Sequence, residues 1–283
     1  MSSPGSPVMY TFLNNTFLPA ADASLSVNDL AIQRAYGIFD FLKTVGGNPI
    51  FLDDHLDRFF HSAARMRLTP GKTRPELKEI IAELMRLNNF PDSGIRITLT
   101  GGISTDTVSI GQPSLIITQH PLSPPGPACP PPIRLISHPH QRQLPDVKTI
   151  DYLMAIHLQP YIRDRGAADV LYHHDGIITE CPRCNFFLVT AAGALITPAQ
   201  NILKGITRMK VIALAHHAAI TVEERDLHLH EIPAAKEAFI TSTSRHIIPV
   251  SHMDDVPIGA AAPGPITREL NARLCELVDR QIK

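Results

Sequence analysis

The chain is predicted to fold as a mixed α/β protein in two domains. Three observations carry this prediction. Runs rich in Ile, Leu, Val and Thr alternate with helical patterns in both halves, and a length of 283 residues accommodates two modest domains. Between Pro121 and Pro132, seven of twelve residues are proline. At that density φ is fixed and backbone donors are missing, so no regular element survives. The boundary is therefore expected there: a small N-terminal α/β domain over 1–120, an extended connector over 121–132, and a larger C-terminal domain over 133–283.

The first domain opens with an edge hairpin over residues 8–20 that bends at Asn14-Asn15. Ser26 to Leu30 leads into Arg34. Ile38 to Val45 reads as a strand, Gly46-Gly47-Asn48-Pro49 as a turn, and Ile50 to Leu52 as the return. Asp53 is the expected N-cap of a helix through Met66, with Leu56, Phe59, Phe60 and Ala63 on its apolar face and Arg58 at an edge, reaching outward. Thr73 and Glu76 form a capping box for a helix whose buried stripe is Leu77, Ile80, Ile81 and Leu84. Residues 94–100 and 114–119 are strands, and Gly101-Gly102 marks a tight turn or a close approach.

The second domain starts with a strand over 133–137. A helix is expected over 149–165, kinked at Pro160 and ended by Gly166. Asp169–His174 and Gly176–Glu180 should pair through Asp175-Gly176, a strong hairpin signal. Further strands follow at 185–189 and 195–197, then a helix over 206–218, a short helix over 234–238, a buried strand over 239–243 and a last helix over 267–283.

Composition excludes several classes. The formal net charge is −1 with both signs interspersed, so no nucleic-acid partner is expected. No run approaches the ~20 apolar residues of a membrane span, and no membrane partner is expected. Met1 to Ser6 lacks the charged and apolar regions of a signal peptide and reads as a disordered lead, which makes the cytoplasm the expected location. Four cysteines, Cys129, Cys181, Cys184 and Cys275, make no disulfide framework in a chain this long. Cys181 and Cys184 have zinc or redox spacing without a second pair, so they are expected to be ordinary half-buried thiols, and no metal is expected. Gly71-Lys72-Thr73 lacks the earlier glycine of a phosphate loop, because Met66 stands there.

Three segments carry chemistry. Lys148 opens an apolar helical run, where desolvation would favour a neutral, nucleophilic amine. Glu180 ends a short strand, where a carboxylate can face a cationic ring nitrogen. Gly205, Ile206 and Thr207 open a helix, whose N–H groups bind phosphate. An amine, a carboxylate and a phosphate cradle are the fixtures that pyridoxal phosphate requires.

These segments, in this order, resemble the class IV (fold type IV) pyridoxal-phosphate aminotransferases, which include D-amino-acid and branched-chain aminotransferases and aminodeoxychorismate lyase. The run Tyr36 to Asp40 with Asp53 to Arg58, and the run Thr241-Ser242-Thr243, are further signatures of that family. The resemblance implies the two-domain fold type IV architecture and pyridoxal 5'-phosphate as cofactor. It implies that Lys148 binds the cofactor covalently and moves the substrate proton. Glu180 would pair with the ring nitrogen, and Arg58, Gly205, Ile206, Thr207, Ser242 and Thr243 would hold the phosphate. It also implies a homodimer with sites at the subunit boundary.

The better-known D-amino-acid enzymes have a tyrosine where this chain has Phe39, and an arginine that aligns with Gly101. Arg34 and Arg183 are the cations left to meet a substrate carboxylate, a pattern that resembles a less typical group of D-amino-acid aminotransferases. The expected reaction is transfer of an amino group between a D-amino acid and a 2-oxo acid, 2-oxoglutarate or pyruvate. A branched-chain L-amino-acid aminotransferase and an aminodeoxychorismate lyase are the alternatives.

Overall fold

The computed structural model describes residues 8–126, 128–260 and 262–282. The lead over Met1 to Ser6 lies outside the described residues. Backbone contacts divide the chain into two units, one holding the described residues up to Pro124 with Val147–Asp151 and Ile282, the other holding Pro125–Asp146 and Tyr152–Gln281. The mixed α/β class is as expected.

In the first unit, β1 (Tyr10–Leu13), β2 (Thr16–Pro19), α1 (Leu30–Arg34), β3 (Gly37–Val45), β4 (Asn48–Pro49), α2 (Leu52–Arg65), α3 (Arg74–Asn88), β5 (Ser93–Thr100) and β6 (Leu115–Pro121) follow one another. The six strands form one sheet in the order β2-β1-β6-β5-β3-β4. Helices α2 and α3 bury Leu56, Phe59, Leu77 and Ile81 against Leu42 and Ile97 of the sheet. Thr73 and Glu76 make the expected capping box, with both reciprocal bonds formed. Helix α2 starts two residues early, at Leu52, after Phe51 rather than Asp53 as N-cap. Gly102 has φ +76°, and a Cβ there would lie 2.0 Å from the Gln112 carbonyl oxygen, so only glycine fits.

The second unit contains β7 (Ile133–Pro139), α4 (Leu153–His157), α5 (Gln159–Asp164), β8 (Asp169–His174), β9 (Ile177–Ile178), β10 (Glu180–Cys181), β11 (Cys184–Val189), β12 (Leu195–Thr197), α6 (Ile206–His217), β13 (Val222–Glu224), β14 (Leu227–His228), β15 (Glu237–Ser242), β16 (His246–Met253), β17 (Val256–Pro257) and α7 (Pro265–Asp279). Its sheet runs β13-β12-β11-β15-β16-β7-β8-β9-β14, with β10 on β11 and β17 on β16. Alternation along β11 sends Phe186 and Leu188 into one core and Phe187 and Val189 into the other, where α6 and α7 pack. Asp175 and Gly176 both have positive φ, as the hairpin signal required.

Three expectations are corrected. The helix expected over 149–165 begins only at Leu153 and is two helices, because Pro160 opens α5 where its missing N–H costs nothing. The short helix expected over 234–238 is a 3-10 helix at Leu229–Ala234, followed by β15. Lys148 opens no helix. Phe39 donates its N–H to the Lys148 carbonyl (2.9 Å) and Ile150 to the Gly37 carbonyl (3.1 Å), so this segment lies along β3, with Val147 buried in the first core.

Candidate active site

The candidate residues divide between the units. Within the first, α2 turns Arg58 inward onto β3 rather than outward as expected. Its side chain is 10% exposed, and Nε and Nη2 donate to the two carboxylate oxygens of fully buried Asp40 at 2.8 and 2.9 Å. His55, one turn earlier, bonds Asp40 through Nδ1 at 2.7 Å. Burial alone would raise the Asp40 pKa, but the Arg58 charge and the bonds from Arg58 and His55 hold it well below the usual carboxylate range. The bonds to Asp40 engage Nε and Nη2, and among the described residues none engages Nη1 of Arg58.

Burial lowers the His55 pKa; Asp40 opposes this, while the charges of Arg58 and Lys148 add to it. A folded value below the unfolded ~6.5 makes the unfolded chain bind more protons, so stability is complete above about pH 6.5 and is lost as pH falls toward the lowered folded value. Each unit of lowering is worth about 1.4 kcal/mol. Denaturant unfolding should therefore show the wild-type midpoint falling from pH 7 to 5 more steeply than that of His55→Gln, in which no imidazole titrates. Equal slopes would remove His55 as the cause.

Lys148 stands beside this network. Its backbone N–H donates to the Ser62 hydroxyl at 3.2 Å, and its Nζ lies 4.5 Å from the centre of the Phe39 ring. Phe39 is 5% exposed, and the Arg96 guanidinium lies 3.7 Å from the same ring. Arg96 is a neighbour that sequence reading passed over, since one arginine in a strand gives no local signal. Arg34 ends α1, exposed, with Nη1 on the Gln33 carbonyl at 2.8 Å and Nη2 on the Thr107 hydroxyl at 3.3 Å.

Within the second unit, the candidates gather around Asn185. Glu180 opens β10 rather than ending a strand, and it faces Asn185 in the β10–β11 register. Asn185 is in turn the register partner of Thr241 on β15, next to Ser242. The Asn185 amide donates to the Leu203 carbonyl at 2.7 Å, and the Leu203 N–H donates to Glu180 Oε2 at 3.0 Å. Glu180 Oε1 accepts from Arg142 Nε at 2.8 Å and pairs with Nη2 at 2.7 Å.

This arrangement fits the cofactor that the resemblance implies. Gly205 caps α6 with no side-chain bond to the helix N–H groups of Ile206 and Thr207. A Cβ on Gly205 would lie 2.2 Å from Asn185 Oδ1, so any larger residue there would have to displace the Asn185 side chain. The buried Ser242 hydroxyl has no partner among the described residues, as an anion-binding hydroxyl should. Thr243 follows it, half-buried.

Arg183 is exposed in the turn between β10 and β11, flanked by Cys181 and Cys184. Both thiols are fully buried rather than half-buried, and burial pushes both upward in pKa. Arg245, in the adjacent β15–β16 turn, donates to Cys184 Sγ at 3.5 Å.

The family profile described as amino-transferase class IV matches residues 37–253. The chain is 31% identical to a putative branched-chain-amino-acid aminotransferase of Methanocaldococcus jannaschii, over 95% of this chain and 96% of that protein. It is 27% identical to a D-alanine aminotransferase of Bacillus licheniformis, over 94% of this chain and 96% of that protein. A solved branched-chain aminotransferase from Thermoproteus uzoniensis, bound to norvaline, is similar with TM-score 0.87 and 26% identity, covering 97% of this chain and 96% of the other.

Proposed function

Because the chain belongs to the class IV aminotransferases, we propose that it uses pyridoxal 5'-phosphate to move an amino group between a D-amino acid and a 2-oxo acid such as 2-oxoglutarate or pyruvate. The observation that carries the cofactor assignment is the grouping in one unit of Glu180, the uncapped N-terminus at Gly205 to Thr207 and the unpartnered Ser242 hydroxyl. When bound, pyridoxal phosphate supplies an aldehyde for the amino group and a protonated ring that withdraws electrons from the carbon losing its proton.

The chain's own residues then have separable tasks. Lys148 Nζ would hold the cofactor and would carry the proton taken from substrate Cα. Glu180 holds the proton on the ring nitrogen. Within the second unit, the N–H groups of Ile206 and Thr207 beside Gly205 and the Ser242 and Thr243 hydroxyls would meet the phosphate; the family resemblance assigns Arg58 to the same anion. Phe39 offers no hydroxyl to a substrate carboxylate, so Arg34 and Arg183 supply the charge. Exposed apolar side chains near Arg34, at Val27, Ile32, Ile103 and Val108, support assembly with a second copy into a homodimer.

A second reading, a branched-chain L-amino-acid aminotransferase, is favoured by the 31% identity to the M. jannaschii protein. One measurement separates them. The protein loaded with pyridoxal phosphate should absorb visibly, and D-glutamate should discharge that band while L-leucine leaves it. Discharge by L-leucine and L-valine alone would put the second reading in place of the first.

A further inference from the structure

Arg142 lies just beyond β7 in a polar run, Gln141-Arg142-Gln143, that belongs to none of the motifs read from the sequence. Its side chain is 17% exposed and that of its partner Glu180 6%. Two of its nitrogens converge on Glu180 Oε1, while Nη2 also donates to the Pro145 carbonyl at 2.6 Å. On the other oxygen, Glu180 Oε2 accepts from the Leu203 N–H at 3.0 Å and the Asn185 amide at 3.3 Å. The carboxylate thus meets donors on both sides, and it cannot rotate without breaking a charge-assisted pair.

The same bonds reach the phosphate end of the candidate site. Asn185 joins Glu180 to the Leu203 carbonyl, and its Oδ1 packs where a Gly205 Cβ would be. Arg142, Glu180, Asn185 and the 203–205 loop therefore form one bonded chain that ends at the N-terminus of α6. A planar cofactor held at its ring nitrogen and its phosphate needs those two grips at a fixed separation.

The geometry points to Arg142 as a positioning residue: its guanidinium holds the Glu180 carboxylate in one orientation toward the cofactor ring nitrogen, in register with the 203–205 phosphate loop. This rests on the pyridoxal-phosphate reading above. A guanidinium serving only to neutralise a buried carboxylate would affect every ligand of the site alike. A positioning guanidinium affects only ligands that have a ring nitrogen to be met.

The test compares equilibrium binding of pyridoxal phosphate with that of its analogue in which the ring nitrogen is replaced by carbon, titrated by fluorescence. Wild type should prefer the nitrogen-bearing cofactor by about tenfold to a hundredfold, the usual worth of a charge-assisted bond held by an outer partner. Arg142→Met should bring this ratio close to one while binding of the carbon analogue stays nearly constant, and Arg142→Lys, with one point charge in place of a fork, should be intermediate. In a Glu180→Gln background, Arg142→Met should change the ratio no further. An unchanged ratio in Arg142→Met overturns the proposal. If that variant does not fold, an unchanged ratio in Arg142→Lys does the same. A wild type that binds neither ligand, or shows no preference, sinks the cofactor reading and this proposal together. A wild-type preference that survives in the variants sinks only the role of Arg142.

Discussion

Lys148→Ala is expected to lower kcat by at least about a thousandfold while the protein still binds pyridoxal phosphate. Two functions leave with one amine, covalent attachment and proton transfer, and general acid–base work alone contributes about a hundredfold to ten-thousandfold. Because both are needed in every half-reaction, the loss should appear in kcat and kcat/KM together. Binding should survive because the phosphate contacts assigned to Arg58, the start of α6, Ser242 and Thr243 do not use Nζ. Borohydride treatment of the yellow wild-type protein should fix the cofactor to Lys148. Two other lysines make the labelling decisive. Lys43 is buried in the first unit and Lys204 is exposed beside the α6 cradle, and label on either would end the assignment.

Much of the frame was readable because its causes are local. The capping box at Thr73 and Glu76 and the hairpin turn at Asp175-Gly176 depend on residues within a few positions of each other. Glu180, Gly205 and Ser242 were readable as members of ordered segments, and the structure ties Glu180 to the loop before Gly205 through Asn185 and Leu203. The misreading around Lys148 has the opposite cause. A helical pattern after residue 149 is present in the sequence, but the backbone of 148–150 bonds to Gly37 and Phe39, over a hundred positions away, and no local window contains that pairing. The helical pattern puts Arg58 at a helix edge, and the side chain turns inward from there to Asp40. Its direction is set by Asp40, a charge on the neighbouring strand that becomes an attraction only once α2 packs on β3. Arg142 left no local trace, since an arginine between two glutamines is also the composition of an ordinary loop. Asn185 stood beside the cysteine pair, and its role shows only through bonds to Glu180 and Leu203.

The substrate assignment stands or falls with the double variant Arg34→Ala/Arg183→Ala. A substrate α-carboxylate leaving water needs cationic or hydrogen-bonding partners, and Phe39 presents only a ring. Each charge-assisted contact is worth roughly 1.5–3 kcal/mol, about a tenfold to hundredfold change in kcat/KM. If the two arginines meet different oxygens, their effects add as free energies, and the double variant should lose about a hundredfold to ten-thousandfold in kcat/KM for D-glutamate. A primary amine without a carboxylate should react at nearly the wild-type rate, which separates loss of substrate recognition from damage to the site. Arg34 also offers a test of assembly. Among the described residues its guanidinium bonds the Gln33 carbonyl and the Thr107 hydroxyl, and exposed Ile32 and Val27 stand near it in sequence. If a second copy covers that face, Arg34 serves the neighbouring site, and mixing Arg34→Ala chains with Lys148→Ala chains should restore part of the activity in hybrid dimers. Full activity of the double arginine variant toward D-glutamate would remove both residues from substrate binding. Turnover of only L-leucine and L-valine by wild type would hand the assignment to branched-chain transamination, in which an apolar side-chain pocket has little use for two exposed charges.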